Sequence, residues 1–424
     1  MFPTTKLLAI AAAASFPLCA LSAPCAIDSP LPPSKDPWYT EPAGFESAPP
    51  GSVLRVREAP GNLTSIVNGS QSAWNILYRT TDSQYKPTFA VTTLFVPRKA
   101  KANSKALLSY QIPYDSAWVD ASPSYTLYDA SGVTGAEALE PILAKGWFLN
   151  VPDYEGPLAS FTAGVMSGHA TIDSIRAVMN LHARFGLDKD ANYAMWGYSG
   201  GALASEWASE LQIQYAPEMQ FAGAALGGLT PNVTSVLFSI NEHIAAGLGA
   251  SAILGLGSQY PDIYEKYVAN LKTTGPYNAT GFLAAKNLSL TGAAFAFAGQ
   301  DLSKYFEHGF DDILNNDTDK VVFNDGIMGY HGVPQMPLYV YKAIKDEISP
   351  VADTDELVQK YCKMGASIVY KRNTVGAHVD EGTNGAPAAF DWLADVLKDS
   401  NRTEQSSSGC SISTVTVNGA ALGI

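Results

Sequence analysis

A short apolar run, Asn192 to Trp196, leads directly into Gly197-Tyr198-Ser199-Gly200-Gly201, and a helix-forming run follows from Gly201 to Gln214. That succession leaves the chain few folds. A serine entered from a strand and left by a helix sits on a turn too tight for side chains two positions away, hence the flanking glycines. The turn lifts the hydroxyl above a sheet edge. It also aims the free N–H groups and positive end of the next helix at the same point. A serine hydroxyl is a weak nucleophile at neutral pH unless a base and a cradle for the developing oxyanion stand beside it. Gly197, Tyr198 and Gly201 therefore read as the frame of the turn, Ser199 as a nucleophile and the Gly200 N–H as an oxyanion donor. The plain alternative is a glycine-rich turn without chemistry. The bare pattern arises by chance roughly two times in ten in a chain this long, and the flanking strand and helix favour chemistry.

The same alternation runs through the rest of the first half. Phe89 to Val96, Ala106 to Ile112, Trp147 to Val151 and Phe221 to Leu226 read as strands, and Thr134 to Lys145 and Ala170 to Phe185 as helices. Such a rhythm implies a parallel sheet covered on both faces. It stops after Gly227-Gly228. It resumes with a strand at Pro337 to Lys342, a helix at Thr354 to Met364, a strand at Ala366 to Lys371 and a helix at Ala386 to Leu397. The expected fold class is α/β, with a mostly parallel central sheet flanked by helices and an inserted, largely helical cap. The expected division is a signal peptide over 1–22, a first part of the core over 23–228, the cap over 229–330, a second part of the core over 331–400 and a tail over 401–424. Within the first part, the Pro-rich residues 24–60 read as an arm along the surface.

In a fold of this kind the nucleophile is followed along the chain by an acid and then by a histidine. Six histidines are present, and His378 alone lies in the late αβ unit, on an expected loop from Thr374 to Gly385. His182 reads as a helix residue with a structural role, His243 and His308 as cap residues and His331 as a possible hinge, while His169 carries no assigned role. Asp346, just beyond the strand ending at Lys342, is the expected acid; it would accept the imidazole N–H and stabilise the imidazolium. Asp353 and Asp355 are alternatives, better explained as N-caps of the helix that follows. Glu347 would point elsewhere. The second oxyanion donor belongs on the loop after an early strand, and the stretch Ser109 to Ala117, around Asp115, is so placed.

Lys6, the apolar run Leu7 to Ala14 and the small residues Ala20, Ser22 and Ala23 have the form of a secretory signal, so the mature protein is expected outside the cell. No later stretch reaches the roughly 18 apolar residues that cross a bilayer. A formal net charge of −13 repels phosphate backbones, so nucleic acid is not an expected partner. Sequons at Asn62, Asn68, Asn232, Asn278, Asn287, Asn316 and Asn401 suggest glycosylation. With Cys19 leaving in the signal, at most one internal disulfide forms. Cys362–Cys410 is the expected pair, and Cys25 the odd thiol unless processing removes it. No Cys/His spacing suggests zinc, and no metal or organic cofactor is expected.

At this point the chain resembles the fungal secretory lipase family. The likeness is carried by Gly197-Tyr198-Ser199-Gly200-Gly201-Ala202, by Asp346-Glu347-Ile348 with Pro350, and by Tyr110-Gln111 followed by Asp115. Pro123-Ser124-Tyr125, Asp153 with Glu155-Gly156, Ile175-Arg176-Ala177 and Cys362 with Gly365-Ala366 add to it. The resemblance implies an α/β-hydrolase with a helical cap, the triad Ser199, Asp346 and His378, and an oxyanion hole formed by Asp115 with the Gly200 N–H. It implies acylglycerols as substrates, and so a triacylglycerol lipase. The expected partners are a small-molecule ester or lipid substrate, met at a lipid–water interface or not, and the chain is expected to be a monomer. Ala121-Ser122 stands where the family has a cysteine, so one family disulfide is missing. The chain also ends soon after Cys410, without a longer flap. A short-chain carboxylesterase or deacetylase of secondary metabolites is the close rival, a serine peptidase a more distant one. A catalytically inactive binding protein on the same fold is the rival from another class.

Overall fold

The apolar runs of this chain alternate side by side, and the sheet uses both sides. The structure, a computed structural model, describes residues 29–100, 103–129, 136–315, 318–398 and 409–419. Among them ten strands form one sheet: β1 (Val53–Glu58), β2 (Ser70–Thr81), β3 (Pro87–Pro97), β4 (Ser104–Gln111), β5 (Phe148–Pro152), β6 (Leu187–Tyr198), β7 (Gly223–Gly227), β8 (Leu338–Ala343), β9 (Ile368–Asn373) and β10 (Cys410–Val415). Their order is β1-β2-β3-β5-β4-β6-β7-β8-β9-β10. The pairs from β1 to β5 along that order are antiparallel, and every pair from β5 to β10 is parallel.

Successive strand residues feed opposite faces. Leu94, Leu107, Phe148 and Met195 join one buried cluster with Val165, Trp207, Leu211 and Val358 from helices Gly164–Asn180, Gly200–Tyr215 and Val351–Lys363. Their neighbours Phe95, Leu108, Leu149 and Ala194 join the other cluster, with Ile142, Phe390 and Leu393 from helices Ala136–Ala144 and Ala386–Lys398. Each fully buried side chain of this size contributes about 1.5–3 kcal/mol of transfer free energy. The two-sided sheet is the stable outcome of that pattern.

Between β7 and β8 the chain leaves the sheet and forms a helical insertion. It comprises helices Val233–Ile240, Ala246–Ser258, Pro261–Ala269, Ala279–Leu283, Leu290–Phe297 and Asp319–Gly326. The insertion has a core of its own, built on Leu237, Leu254, Tyr267, Phe282, Phe297 and Phe306. Polar side chains start its helices: Asn232 accepts from the Thr234 and Ser235 N–H groups, Asn278 from Gly281 and Ser289 from Gly292. Asn232 and Asn278, two of the sequon asparagines, are thus half-buried N-caps. Asn62, Asn68 and Asn287 are exposed, and Asn316 and Asn401 lie outside the described residues. So do the signal segment 1–22, Cys19 and Cys25.

Several sequence expectations change. Part of the Pro-rich arm is β1, and β2 was not anticipated at all. The helix expected from Ala170 begins at Gly164 and breaks at Leu181. Asp353 and Asp355 do not cap the helix after β8. That helix starts at Val351 with Pro350 before it, so both lie inside it, and Asp355 instead accepts from Tyr370 and Arg372 across on β9. The stretch read as a tail contributes β10, paired to β9 and tied by a Cys362–Cys410 disulfide closing a separation of 48 residues.

Candidate active site

The chemistry-bearing residues collect where the parallel strands end, the edge at which sheets of this kind place their sites. Ser199 follows β6 at once, Asp346 follows β8, and His378 follows β9. Ser199 has φ 53° and ψ −121°, a strained conformation for a non-glycine residue that persists only when its surroundings enforce it. They do so by close approach. A Cβ at Gly197 would stand 2.0 Å from the Gly201 carbonyl oxygen, and one at Gly201 would stand 1.9 Å from that of Gln111. The Ser199 N–H donates to the Gly227 carbonyl at 2.9 Å, and the Leu203 N–H donates to the Ser199 carbonyl at 2.9 Å. The turn is therefore stitched to β7 on one side and to its own helix on the other.

His378 Nε2 lies 2.9 Å from Ser199 Oγ, and Nδ1 lies 2.7 Å from Asp346 Oδ2. The expected loop around His378 is a short helix, His378–Asn384, and His378 is its first residue. Asp380 turns back to accept from the Ala377 N–H at 3.0 Å, which starts the helix there. Two contacts fix the His378 backbone. Its N–H donates to Glu347 Oε2 at 2.8 Å, and its carbonyl accepts from the Tyr198 hydroxyl. The carboxylate beside Asp346 thus holds the main chain of the histidine while Asp346 holds its ring.

Asp346 is saturated with donors. Oδ1 accepts from the Ile348 N–H at 3.0 Å and the Ser349 N–H at 2.8 Å. Oδ2 accepts from His378 and from Lys342 Nζ at 2.8 Å. Burial alone would raise its pKa, but the His378 hydrogen bond and the Lys342 charge more than offset that, and the carboxyl is held down at about 2.

Asp115 approaches from the other side. It occupies the left-handed region at φ 41° on the loop after β4. A Cβ on Gly200 would meet Asp115 Oδ1 at 1.9 Å, so a glycine at 200 is what lets the carboxyl lie against the helix start. Two tyrosines pin this loop to the one after β5. Tyr154 donates to the Ile112 carbonyl at 2.8 Å, and the Tyr114 oxygen accepts from the Glu155 N–H at 2.7 Å. Burial pushes the Asp115 carboxyl up to about 7. It also pushes Glu155 well above the ordinary range, the charge of Asp115 adding to the effect. Asp153, accepting from the Ser124 N–H at 2.8 Å and its hydroxyl at 2.5 Å, anchors the Pro123-Ser124-Tyr125 segment instead.

Ser199, Gly200 and Asp115 line a cavity whose other walls are mostly apolar, chiefly Phe161, Leu203, Val236, Leu237, Ile240 and Leu248. A second cavity shares Thr162, Val233, Leu237, Gly249 and Ala252 with the first and runs on toward Leu256, Tyr267 and Ile313. A weak nucleophile with a base, an orienting acid and an apolar chamber is equipped for acyl transfer. The remaining histidines lie elsewhere. His169 is buried against Tyr215, its pKa pulled down to about 3 by burial; His182 bonds the Met179 carbonyl; His308 pairs with Asp312; His243 is exposed. His331 packs on Trp207, and its N–H donates to Glu210.

Sequence reasoning missed three contributors: Glu347, which it pointed elsewhere, the Tyr198 hydroxyl and Lys342. Lys342 had a readable signal, since a lysine in the interior of a parallel strand is almost never buried unless paired. Among the described residues no cluster of His, Cys, Asp and Glu could hold a metal ion, and no helix is long and apolar enough to cross a membrane.

A family profile described as secretory lipase matches residues 131–405. The trichothecene C-3 esterase of Fusarium sporotrichioides is 53% identical over 94% of this chain and 91% of its own length. Lipase A of Arthroderma benhamiae is 36% identical over 92% of this chain and 84% of its own. Among solved structures, Candida antarctica lipase A superposes with a TM-score of 0.81 over 93% of this chain and 92% of that one, at 23% identity, a likeness of fold.

Proposed function

The chain belongs to the secretory lipase family and is a carboxylic ester hydrolase, and on that footing we propose that it works by two-step acyl transfer through Ser199. His378 Nε2 takes the Ser199 proton as Oγ attacks the ester carbonyl carbon. Asp346 keeps the Nδ1–H tautomer and stabilises the imidazolium. The Gly200 N–H, at a helix start, and Asp115 hold the oxyanion. The intermediate expels the alcohol with the proton from His378, leaving an acyl group on Oγ. Water then attacks that acyl group through the same base and releases the carboxylic acid. The observation that carries this reading is the relay from Ser199 Oγ through His378 to Asp346 at 2.9 and 2.7 Å, opening into the apolar chamber.

For the substrate we propose an ester of a trichothecene-class alcohol at its C-3 oxygen. The 53% identity to an esterase of that name over nearly all of both chains supports it. A second reading, hydrolysis of long-chain acylglycerols at a lipid surface, draws on the second apolar cavity, which extends the path available to an acyl tail. We place the enzyme outside the cell as a monomer, with its signal removed and glycans on exposed asparagines such as Asn62, Asn68 and Asn287. The test is a panel of p-nitrophenyl esters from acetate to oleate together with a trichothecene C-3 acetate. Ser199→Ala serves as the blank and should lower kcat by about 10⁶-fold. Preference for acetyl esters supports the first reading, and rates that climb toward oleate replace it with the second. Full activity in Ser199→Ala removes both.

A further inference from the structure

Lys342 stands at the penultimate position of β8 with a side chain that is 0% exposed. An ammonium in such a place loses its hydration, and burial accordingly pulls its pKa below the ordinary lysine value. Its compensation is specific. Nζ donates to Asp346 Oδ2 at 2.8 Å and to the Leu229 carbonyl at 2.8 Å. Leu229 lies at the root of the helical insertion, and its carbonyl also accepts from the Ser349 hydroxyl at 3.1 Å and the Thr354 hydroxyl at 3.4 Å. One buried cation therefore joins the carboxylate behind His378 to the point where the insertion leaves the sheet.

We propose that Lys342 is a positioning residue of the hydrolytic site, its ammonium gripping Asp346 and the Leu229 carbonyl together and so locking the carboxylate that orients His378. The inference rests on Asp346 serving as the acid of the relay. A saturated carboxylate cannot rotate, because turning either oxygen abandons two donors in a place where water does not replace them. The ammonium also shares Oδ2 with the imidazole. The charged and titratable groups facing the pair are His378, Glu347 and Asp353, with Glu381 and Tyr198 beyond them. Apart from His378 when it carries the catalytic proton, Lys342 is the sole cation in that set. Its removal leaves the negative charge of Asp346 less balanced. That lost charge balance moves the acid limb of the rate profile to higher pH.

The experiment compares Lys342→Met, Lys342→Arg and Asp346→Asn in the full chain. Folding is checked by circular dichroism and thermal unfolding, and kcat and KM on p-nitrophenyl butyrate are measured across pH 4–9. In Lys342→Met, kcat should fall roughly 10- to 100-fold while KM stays within about twofold. Its acid limb should rise by about one pH unit. Lys342→Arg keeps the charge and should keep the acid limb in place. A folded Lys342→Met with unchanged kcat and acid limb overturns the proposal. So does failure of every variant at 342 to fold, which would assign the lysine to the fold alone. If Asp346→Asn retains full activity, it is the relay that fails. If Asp346→Asn is crippled and folded Lys342→Met is not, the relay stands and the inference about Lys342 falls.

Discussion

Asp346, behind His378, and Asp115, on the cavity wall with Ser199, are both buried, yet their surroundings treat them in opposite ways. Asp346 accepts four hydrogen bonds, two from backbone N–H groups, one from an imidazole and one from an ammonium, and is held ionised down to about pH 2. Among the described residues no cation offsets the burial of Asp115 and its Oδ1 has no hydrogen-bond partner, and burial raises it to about 7. An acid that must stabilise an imidazolium needs a permanent negative charge. A group set against a developing oxyanion must not carry one. On the proposed mechanism the Asp115 carboxyl, raised by burial to about 7, would serve as an O–H donor while neutral and would repel the oxyanion once ionised. The opposite shifts of the two carboxyls come from the choice of neighbours rather than the choice of residue.

The largest expected effect is on the Asp346 side. Asp346→Asn keeps the size but loses the charge and the tautomer control, and should lower kcat about 10⁴-fold with little change in KM. Stopped assays on any soluble ester measure it, and a loss under tenfold would dissolve the contrast. On the other side, Asp115→Leu removes the donor and should cost about 10²- to 10³-fold in kcat. Asp115→Asn keeps a neutral donor. The wild-type rate should therefore fall through a limb near pH 7 that the Asn variant lacks, which kcat/KM against pH displays directly.

Stability should separate the two carboxylates as well. Asp115 binds its proton up to about pH 7 in the native state but only up to the ordinary 3.8 when unfolded. Between those values the native state holds the extra proton, so its contribution is fully present below pH 3.8 and is lost as pH rises through 7. Asp346 runs the other way: its contribution is present above 3.8 and is lost as pH falls through 2. Urea unfolding at pH 5 and pH 8 checks this. The drop between the two should be smaller in Asp115→Asn than in wild type by about 1 kcal/mol or more. An equal drop would mean that Asp115 is ionised across the whole window.

Much of this arrangement was legible in the chain, and the reasons are local. Phe89 to Val96 announces a strand because it is largely apolar on both faces. The Ser199 turn announces itself because its glycines answer hard contacts with Gly201 and Gln111. Asp346 followed from its place after a strand, whereas position pointed only to the loop around Asp115 and the family resemblance to the residue itself. β2 escaped notice because its buried residues are largely polar: Tyr78 bonds the Ala170 carbonyl and Thr80 bonds Asp173, partners that lie about ninety positions away. The insertion resisted reading because its short helices bury aromatic residues against one another rather than along a regular stripe. The Lys342 contact to Leu229 needs two distant segments to meet, which no local pattern encodes.

The smallest effect is expected at Glu347, and it guards the whole comparison, because two adjacent carboxylates are easily exchanged in assignment. Among the described residues Glu347 Oε2 accepts from the His378 backbone N–H at 2.8 Å, so it holds the chain and not the ring. Glu347→Gln keeps an oxygen acceptor of the same reach. The loss is then the charge-assisted part of one hydrogen bond, about 0.6 kcal/mol or less, equivalent to a change in kcat of about threefold. A loss of about a hundredfold in Glu347→Gln beside a mild Asp346→Asn would transfer the acid's role to the neighbouring residue. Ile348 and Ser349 would then be donating to a spectator.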